Sequence, residues 1–361
     1  PPAAAAQYVR QRMEAGAKEI VVRSMDAATG PIAFTATRRI LGEETIEVFG
    51  KTVAAFRCET SVDTPPVKSI EHIDAQGEML RTTMDLGGMK FELVAAERET
   101  AQIAGEAPEI MISTFVRADK PIKDPRETQE ASFVLRLPEG KELPPLPDIG
   151  AQDVEKIDDR SWRVRVDMRH MDAATQQEAD DASYLAATAM CDAGDERIVS
   201  LAQKGKAAAG QDNSPEARAR RLQRLVFEHV RKKSLGVGFA SASDVVRTRE
   251  GDCSEHAVLL AAALRADEIP SRVVSGLVYV EEMLGEKDVF GYHMWTEALL
   301  PGEAKGEFVW LTLDATMGPL RPDATHIALA TSALEDGTAM NSLVALAPMF
   351  GALQIEVESI E

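Results

Sequence analysis

The chain has 361 residues and a formal net charge of −19. Nucleic-acid binding depends on basic residues that displace the counterions of phosphates, so this acidic chain is not expected to bind nucleic acid. A content of 45% hydrophobic and 27% charged residues is typical of a globular protein, and the length suffices for two domains. No apolar run approaches the ~20 residues that a membrane-spanning helix needs, so no transmembrane segment is expected.

The first residues of the chain are Pro-Pro-Ala-Ala-Ala-Ala, without an initial methionine. Such stretches are common after the cleavage sites of signal peptides and in linkers. We therefore expect a processed or truncated form. Export to the periplasm or the cell surface is the expectation favoured over a cytoplasmic location.

The three cysteines, Cys58, Cys191 and Cys253, lie far apart in the sequence. Their odd number and wide spacing give neither a disulfide framework nor a zinc motif, and no metal or cofactor is expected. A bridge between Cys58 and Cys191 stays open as an option in an oxidising compartment. Otherwise Cys58 is expected to be buried and inert, and the acidic neighbours of Cys191 argue against a nucleophilic role.

The region from about Val21 to Val166 is composed of short segments rich in Val, Ile, Thr and Phe. Several of them alternate apolar and polar residues, which is the period of half-buried antiparallel strands, and turn residues separate them. A proline-rich stretch over Leu137–Pro147 predicts an extended surface connection. The pattern predicts a β-rich domain, a meandering sheet or a sandwich, with strands at 32–40, 45–49, 52–61, 67–73, 79–86, 90–95, 109–116, 132–137 and 162–166.

From about Ser183 the pattern changes to that of helices. Apolar residues recur at helical spacing within Asp195–Lys206, and Ser214 followed by Pro215 is a typical helix start. The sequence therefore predicts two domains. The first is a β-rich domain of unknown role over residues 1–180, and the second covers residues 181–361.

The segment from Gly251 to Ala257 carries the strongest chemical signal. Asp252 and Glu255 have the spacing of the N-cap and N3 residues of a capping box, which predicts Cys253 at the first position of a buried helix. The partial positive charge of a helix N-terminus favours a thiolate, the nucleophilic form of cysteine. By itself this segment is equally compatible with a small buried cysteine that has no chemical role.

Two later segments, Phe290–Leu300 and Phe308–Thr316, alternate as strands do. His293 lies in the first of them and Asp314 near the end of the second. Pairing of these strands would place Asp314 beside His293. The carboxylate would then hold one nitrogen of the imidazole and leave the other for a thiol.

Together these segments resemble the core of the bacterial transglutaminase-like superfamily, which is related to papain-type thiol enzymes. The resemblance covers roughly residues 183–330. It implies a papain-like α+β fold in which a cysteine-bearing helix packs on an antiparallel sheet. It also implies Cys253 as nucleophile, His293 as general base and then acid, and Asp314 as the residue that orients the histidine. The matching stretches are Gly251-Asp252-Cys253-Ser254-Glu255-His256-Ala257, Tyr292-His293-Met294-Trp295-Thr296-Glu297 and Trp310-Leu311-Thr312-Leu313-Asp314-Ala315-Thr316.

The chemistry implied by the resemblance is acyl transfer through a thioester. The acyl acceptor is water in a peptidase or amidase and an amine in a transglutaminase, and hydrolysis of a protein or peptide substrate is the preferred interpretation. A non-catalytic binding scaffold that retains the three residues is the alternative from another class. Such enzymes need two oxyanion donors. The backbone N–H of Cys253 is one candidate, and no Trp or Gln between Leu225 and Cys253 is present to be the second.

Other polar and aromatic residues are assigned supporting roles. His256 is expected to make a structural hydrogen bond, and Trp295 and Trp310 are expected to pack. Glu297 supports either its strand or the candidate triad. The segment Glu281–Val289 is a candidate for lining the cleft. No partner is apparent in the sequence for the other histidines, His72, His170, His229 and His326.

Overall fold

A computed structural model describes residues 2–26, 32–63, 66–86, 89–97, 112–206, 212–233, 240–337 and 345–361. The chain divides into two compact units, residues 1–105 and residues 106–361. This division lies upstream of the domain boundary predicted near residue 180, which stays a prediction. The strands between residues 130 and 167 belong to the second unit because they form a sheet with the last strand of the chain, a pairing that no local pattern reveals.

The first unit is a helix followed by a six-stranded antiparallel meander in which each strand pairs with the next. Its core is small and includes Ile20, Ile46 and Ile73. The break predicted between strands 32–40 and 45–49 is wrong, because the structure has a bulge at Leu41 within one long strand there. The elements are α1 (Pro2–Glu14), β1 (Glu19–Asp26), β2 (Ile32–Val48), β3 (Lys51–Asp63), β4 (Pro66–Ile73), β5 (Met79–Leu86) and β6 (Met89–Val94).

The second unit combines strands and helices, as the α+β expectation requires. Most of the strand predicted over residues 109–116 lies outside the described residues or in other structure. The strands are β7 (Val116–Arg117), β8 (Glu130–Arg136), β9 (Gln152–Asp158), β10 (Ser161–Asp167), β11 (Lys232–Lys233), β12 (Glu250–Gly251), β13 (Ser271–Met283), β14 (Glu286–Pro301), β15 (Phe308–Leu313), β16 (Ile327–Ser332) and β17 (Gln354–Ile360).

The helices of the second unit precede most of its large sheet in sequence. They are α2 (Gln176–Asp180), α3 (Glu196–Lys206), α4 (Pro215–His229), α5 (Ala242–Thr248) and α6 (Cys253–Ala266), with 3₁₀ turns at Pro125–Glu127, Ala182–Tyr184 and Ala347–Met349. Ser214 caps α4 by accepting a hydrogen bond from the N–H of Ala217. None of the helices described is long and apolar enough to cross a bilayer.

Two sheets share the apolar interior of the second unit. One has the order β17-β8-β10-β9, and the other has the order β15-β14-β13-β16 with β7 on the outer part of β14. Aromatic side chains meet between them, and the rings of Phe133 and Phe290 lie edge to face at 5.5 Å. The proline-rich stretch is more than a surface connection, since Leu143 and Leu146 are buried in this core.

Helix α6 is the centre of a second apolar cluster. Its residues from Glu255 to Arg265 are all buried. Burial is expected because the helix is largely apolar on every side. Helix α6 packs on β14 and β13, and the hydroxyl of Thr296 in β14 donates a hydrogen bond of 2.9 Å to the carbonyl of Ala257. This contact holds the first turn of the cysteine-bearing helix against the antiparallel sheet.

Candidate active site

The N-terminus of α6 has the predicted capping box. The carboxylate of Asp252 accepts a hydrogen bond from the N–H of Ser254 at 2.9 Å, and Glu255 accepts one from the N–H of Asp252 at 2.9 Å. Gly251 has φ of +155°, and a Cβ there would lie 2.2 Å from Cβ of Glu255. Glycine is therefore required for the glutamate to fold back over the turn that delivers Cys253 to the first helical position.

The three cysteines differ in exposure. Cys253 is partly exposed, whereas Cys58 and Cys191 are buried, and all three are free thiols. Burial raises the pKa of Cys58 to about 11 and that of Cys191 to about 11. Because the thiolate is the reactive form, these two cysteines are protected at neutral pH and Cys253 is the accessible thiol.

The pairing of β14 with β15 brings two of the candidate residues together. Glu297 pairs with Thr312, and this register places Asp314 near His293. The Nε2 atom of His293 lies 2.8 Å from Oδ2 of Asp314. The other carboxylate oxygen accepts hydrogen bonds of 2.7 Å from the N–H and the hydroxyl of Thr316. The carboxylate is thereby fixed in orientation and holds one nitrogen of the imidazole.

The charge state of His293 follows from its neighbours. Burial disfavours the imidazolium, but the charge and hydrogen bond of Asp314, together with the Cys253 side chain, raise the pKa of His293 to about 10. Cys253 and His293 line the same cleft. Burial acts in the opposite direction on Asp314, yet His293 and then His326 hold the pKa of this carboxyl well below its usual range.

His326 belongs to the same cluster, although the sequence offered no partner for it. Its Nε2 lies 3.4 Å from Oδ2 of Asp314, and its Nδ1 lies 3.1 Å from the carbonyl oxygen of Asp323. Asp323 in turn accepts a hydrogen bond of 2.5 Å from Arg126. Asp323 and His326 are three residues apart, as in a turn, and the role of this turn depends on the tertiary contact of His326 with Asp314.

Trp295 packs beside both histidines. Its ring stacks on His293 with centroids 6.2 Å apart and meets His326 edge-on at 5.4 Å. The indole is 2% exposed. The packing role predicted for this residue therefore includes a direct wall for the imidazole of His293.

His256 has the structural hydrogen bonds that were expected. Its Nδ1 lies 2.5 Å from the carbonyl oxygen of Asp252, and its Nε2 lies 2.7 Å from Nζ of Lys233. Burial, followed by the nearby Lys233 charge, lowers the pKa of His256 to about 4 despite its hydrogen bond to the backbone of Asp252. A neutral ring thus donates through Nδ1 and accepts from the ammonium, which ties β11 to the start of α6.

Glu297 supports the sheet, and within the described part of the chain its carboxylate pairs with Arg272 rather than with His293. It accepts a hydrogen bond of 2.8 Å from Arg272, whose guanidinium also binds Glu178 at 2.7 Å. The same guanidinium lies 3.9 Å from the ring centroid of Trp310. This buried network accounts for the packing role predicted for Trp310.

A cleft of about 260 Å³ opens beside Cys253 and His293. The predicted lining segment Glu281–Val289 is not among its lining residues, because that segment is the tip of the β13–β14 hairpin. The opposite wall comes partly from the C-terminal segment, which the sequence analysis did not connect with the site. This apolar wall consists of Tyr292, Met294, Leu346 and Phe350.

One group of side chains in this site has the composition of a metal site. Ligand atoms of His293, Asp314 and His326 all lie within 4.8 Å of one another. Imidazole nitrogens and carboxylate oxygens are zinc ligands. Both rings, however, direct Nε2 to the same carboxylate oxygen, so hydrogen bonds among the three groups already satisfy them.

The fold and the site define an α+β domain with a cysteine at the start of a buried helix and a His–Asp pair on the adjoining sheet. Residues 202–315 match the model of the Transglutaminase-like superfamily, and this match spans Cys253, His293 and Asp314. The C-terminal unit therefore contains a transglutaminase-like region over these residues. No curated protein has significant sequence similarity to the chain.

The solved structures that match the chain are distant from it in sequence and in shape. A proposed cysteine protease from Cytophaga hutchinsonii is 16% identical with a TM-score of 0.35, over 65% of this chain and 84% of that one. The periplasmic domain of TgpA from Pseudomonas aeruginosa is 19% identical with a TM-score of 0.33, over 54% of this chain and 90% of that one.

Proposed function

We propose that the C-terminal unit is a cysteine-dependent hydrolase of peptide or related amide bonds that acts through a thioester. The supporting observation is the position of His293. Its Nε2 is held 2.8 Å from Asp314, and its raised pKa includes a contribution from the Cys253 side chain. A thiol next to an imidazole that a carboxylate orients is the arrangement needed to activate a nucleophile.

Each of the three residues has one role in this proposal. Cys253 transfers its proton to His293, and the thiolate sulfur forms a bond to the carbonyl carbon of the substrate. His293 then gives that proton to the departing amine as the C–N bond breaks, which leaves an acyl thioester. Water, deprotonated by His293, attacks the thioester, and the C–S bond breaks to release a carboxylic acid and the thiol. Asp314 stabilises the imidazolium in both halves.

The helix start contributes to charge stabilisation. The N–H groups in the first turn of a helix have no intrahelical partner, so the N–H of Cys253 is free to donate to the oxyanion. The partial positive charge at this end of α6 favours both the thiolate and the oxyanion. The proposed reaction thus uses the position of Cys253 as well as its side chain.

Selective alkylation tests the proposal. A thiol-reactive probe at pH 7 is expected to label Cys253 alone, since the other two thiols are buried. Cys253→Ala is expected to lose the label and all amide hydrolysis, while the matched control Cys58→Ser keeps both. Equal labelling and hydrolysis in the Cys253→Ala variant would refute the assignment.

Two further measurements separate the alternatives. Incubation with a fluorescent primary amine and a glutamine-bearing protein measures amine transfer, and incorporation faster than hydrolysis would favour a transglutaminase. The pH dependence of Cys253 alkylation addresses the scaffold. A rate that stays high well below pH 8 supports the thiol–imidazole pair, whereas a rate that falls as for an ordinary thiol favours a scaffold.

A further inference from the structure

Two hydroxyl groups in the cleft have no hydrogen-bond partner among the described residues. They are Oγ of Ser275 and Oη of Tyr292, and both oxygen atoms are buried. Both residues line the cleft next to Cys253. A buried polar group without a partner typically costs about 1–3 kcal/mol, so such groups are rare unless a ligand or water satisfies them.

The sheet register explains why the protein leaves Ser275 unpaired. Ser275 in β13 lies opposite Met294 in β14, which offers no strong acceptor, and the serine is only 2% exposed. Thr296, two residues further along β14, does find an acceptor in the backbone of α6. Ser275 thus lines the same cleft as Cys253 and Ser254, the first residues of α6.

The ring of Tyr292 is fixed by packing and its backbone by the sheet. Its ring meets Phe350 edge to face at 4.6 Å, and its backbone pairs with Leu277. Burial raises the pKa of Tyr292 well above its usual range, so the hydroxyl keeps its proton and remains a donor. Rigid packing with a free donor at one end is typical of aromatic residues that bind a ligand.

The remainder of the wall restricts the chemistry of the ligand. Leu346, Phe350 and Met294 present apolar surface to the cleft. Burying a charged group against such a wall is unfavourable, and the carboxylate of Asp252 at the rim adds repulsion toward acidic groups. An apolar side chain next to carbonyl groups that accept hydrogen bonds matches this surface.

We propose that the cleft binds the acyl side of a peptide, with a large apolar residue against Phe350 and Leu346 and with its carbonyl oxygens accepting hydrogen bonds from Ser275 and Tyr292. This inference rests on the proposed function and adds a substrate class to it. The carbonyl bound by Ser275 is that of the scissile bond, because Ser275 lines the same cleft as Cys253. Ser275 thereby supplies the oxyanion donor that the segment before Cys253 lacks.

Irreversible alkylation gives a test that does not depend on turnover. The probes are the chloromethyl ketones of N-acetyl-phenylalanine and N-acetyl-glycine, in which the Cys253 sulfur displaces chloride. Each rate is divided by the rate with iodoacetamide, which has no side chain to bind the cleft. The phenylalanine probe is expected to react at least about tenfold faster than the glycine probe after this normalisation.

Three variants, with two matched controls, assign that preference to particular residues. Tyr292→Phe and Ser275→Ala each lose one hydrogen-bond donor, so the normalised rate of the phenylalanine probe is expected to fall about three- to tenfold in each. Phe350→Leu is expected to reduce the preference for phenylalanine over glycine. The matched controls Tyr8→Phe and Ser161→Ala lie outside the cleft and are expected to leave both ratios unchanged.

Three results would overturn the inference. The first is equal normalised rates for the two ketones. The second is a phenylalanine rate that neither Tyr292→Phe nor Ser275→Ala lowers, although Cys253 still reacts with iodoacetamide. In both cases the proposed function survives and only the substrate class fails. The third is no alkylation of Cys253 by any of the three reagents, which overturns the proposed function together with the inference.

Discussion

His293 and His326 direct their Nε2 atoms to the same oxygen of Asp314, at 2.8 and 3.4 Å. Asp314 is 1% exposed, so its negative charge depends on these two rings and on the Thr316 hydrogen bonds for stabilisation. Asp314 orients the proposed general base, His293, and is itself held in place by His326 and Thr316. Four predictions follow from this and from three other buried contacts.

His326 is expected to act as a positioning residue. In His326→Asn the shorter side chain no longer reaches Asp314, and we expect kcat for amide hydrolysis to fall about tenfold with a smaller change in KM. His326→Gln keeps a donor near the Nε2 position and should recover part of the loss. The pH profile distinguishes positioning from general destabilisation, because loss of the second ring on the shared Asp314 oxygen should shift the apparent pKa of His293. Equal losses in both variants with an unshifted profile would contradict this role.

The ionisation of His293 should make stability depend on pH. Its pKa is raised to about 10 in the folded state, whereas an unfolded histidine titrates near ~6.5. The folded state therefore holds the proton more tightly, and the stabilisation is complete below ~6.5 and is lost as the pH rises toward 10.

Urea unfolding followed by tryptophan fluorescence can measure this effect. All three tryptophans, Trp162, Trp295 and Trp310, lie in the C-terminal unit, so their fluorescence reports that unit. We expect the free energy of unfolding to fall between pH 7 and pH 10 in the wild type and to fall less steeply in His293→Gln. The same slope in both proteins would exclude His293 as its source.

Gly276 is expected to tolerate no side chain. A Cβ at this position would lie 2.1 Å from the carbonyl oxygen of Ile327 and 2.5 Å from the ring of Trp295. Gly276→Ala should therefore destabilise the C-terminal unit by at least about 2 kcal/mol and displace the indole from His293. Gly291→Ala is the matched control on β14, since its Cβ would meet Phe115 at an ordinary 3.6 Å. Similar unfolding midpoints for the two variants would contradict the prediction.

Arg272 is expected to be a stability residue rather than a catalytic one. Its guanidinium is the buried partner of Glu297, which is 3% exposed, so Arg272→Met leaves a carboxylate without its counter-charge. A loss of about 3–5 kcal/mol in unfolding free energy is expected. Arg117→Met, which removes an exposed pair with Glu286, should cost about 1 kcal/mol or less. A loss of Cys253 alkylation in Arg272→Met while the unit remains folded would argue for a direct role in the site.

The elements nearest to Cys253 were predictable because their signals are local. A capping box is defined by residues three apart, so Asp252 and Glu255 alone place the helix start and with it the thiol. Alternation in Phe290–Leu300 likewise predicts a strand, and the pairing of β14 with β15 then follows from a short connection.

Contacts between distant segments were decided by the tertiary structure. Strand β17 joins β8 across more than 200 residues, so β8 belongs to the same compact unit as Cys253, and Leu346 and Phe350 lie at the cleft. The pairing of His326 with Asp314 has the same origin. The spacing of hydrogen bonds along one helix or strand is set by backbone geometry. It can therefore be predicted from residues that are close in sequence. The choice of which sheet edge or carboxylate a remote segment meets depends on the packing of the whole unit.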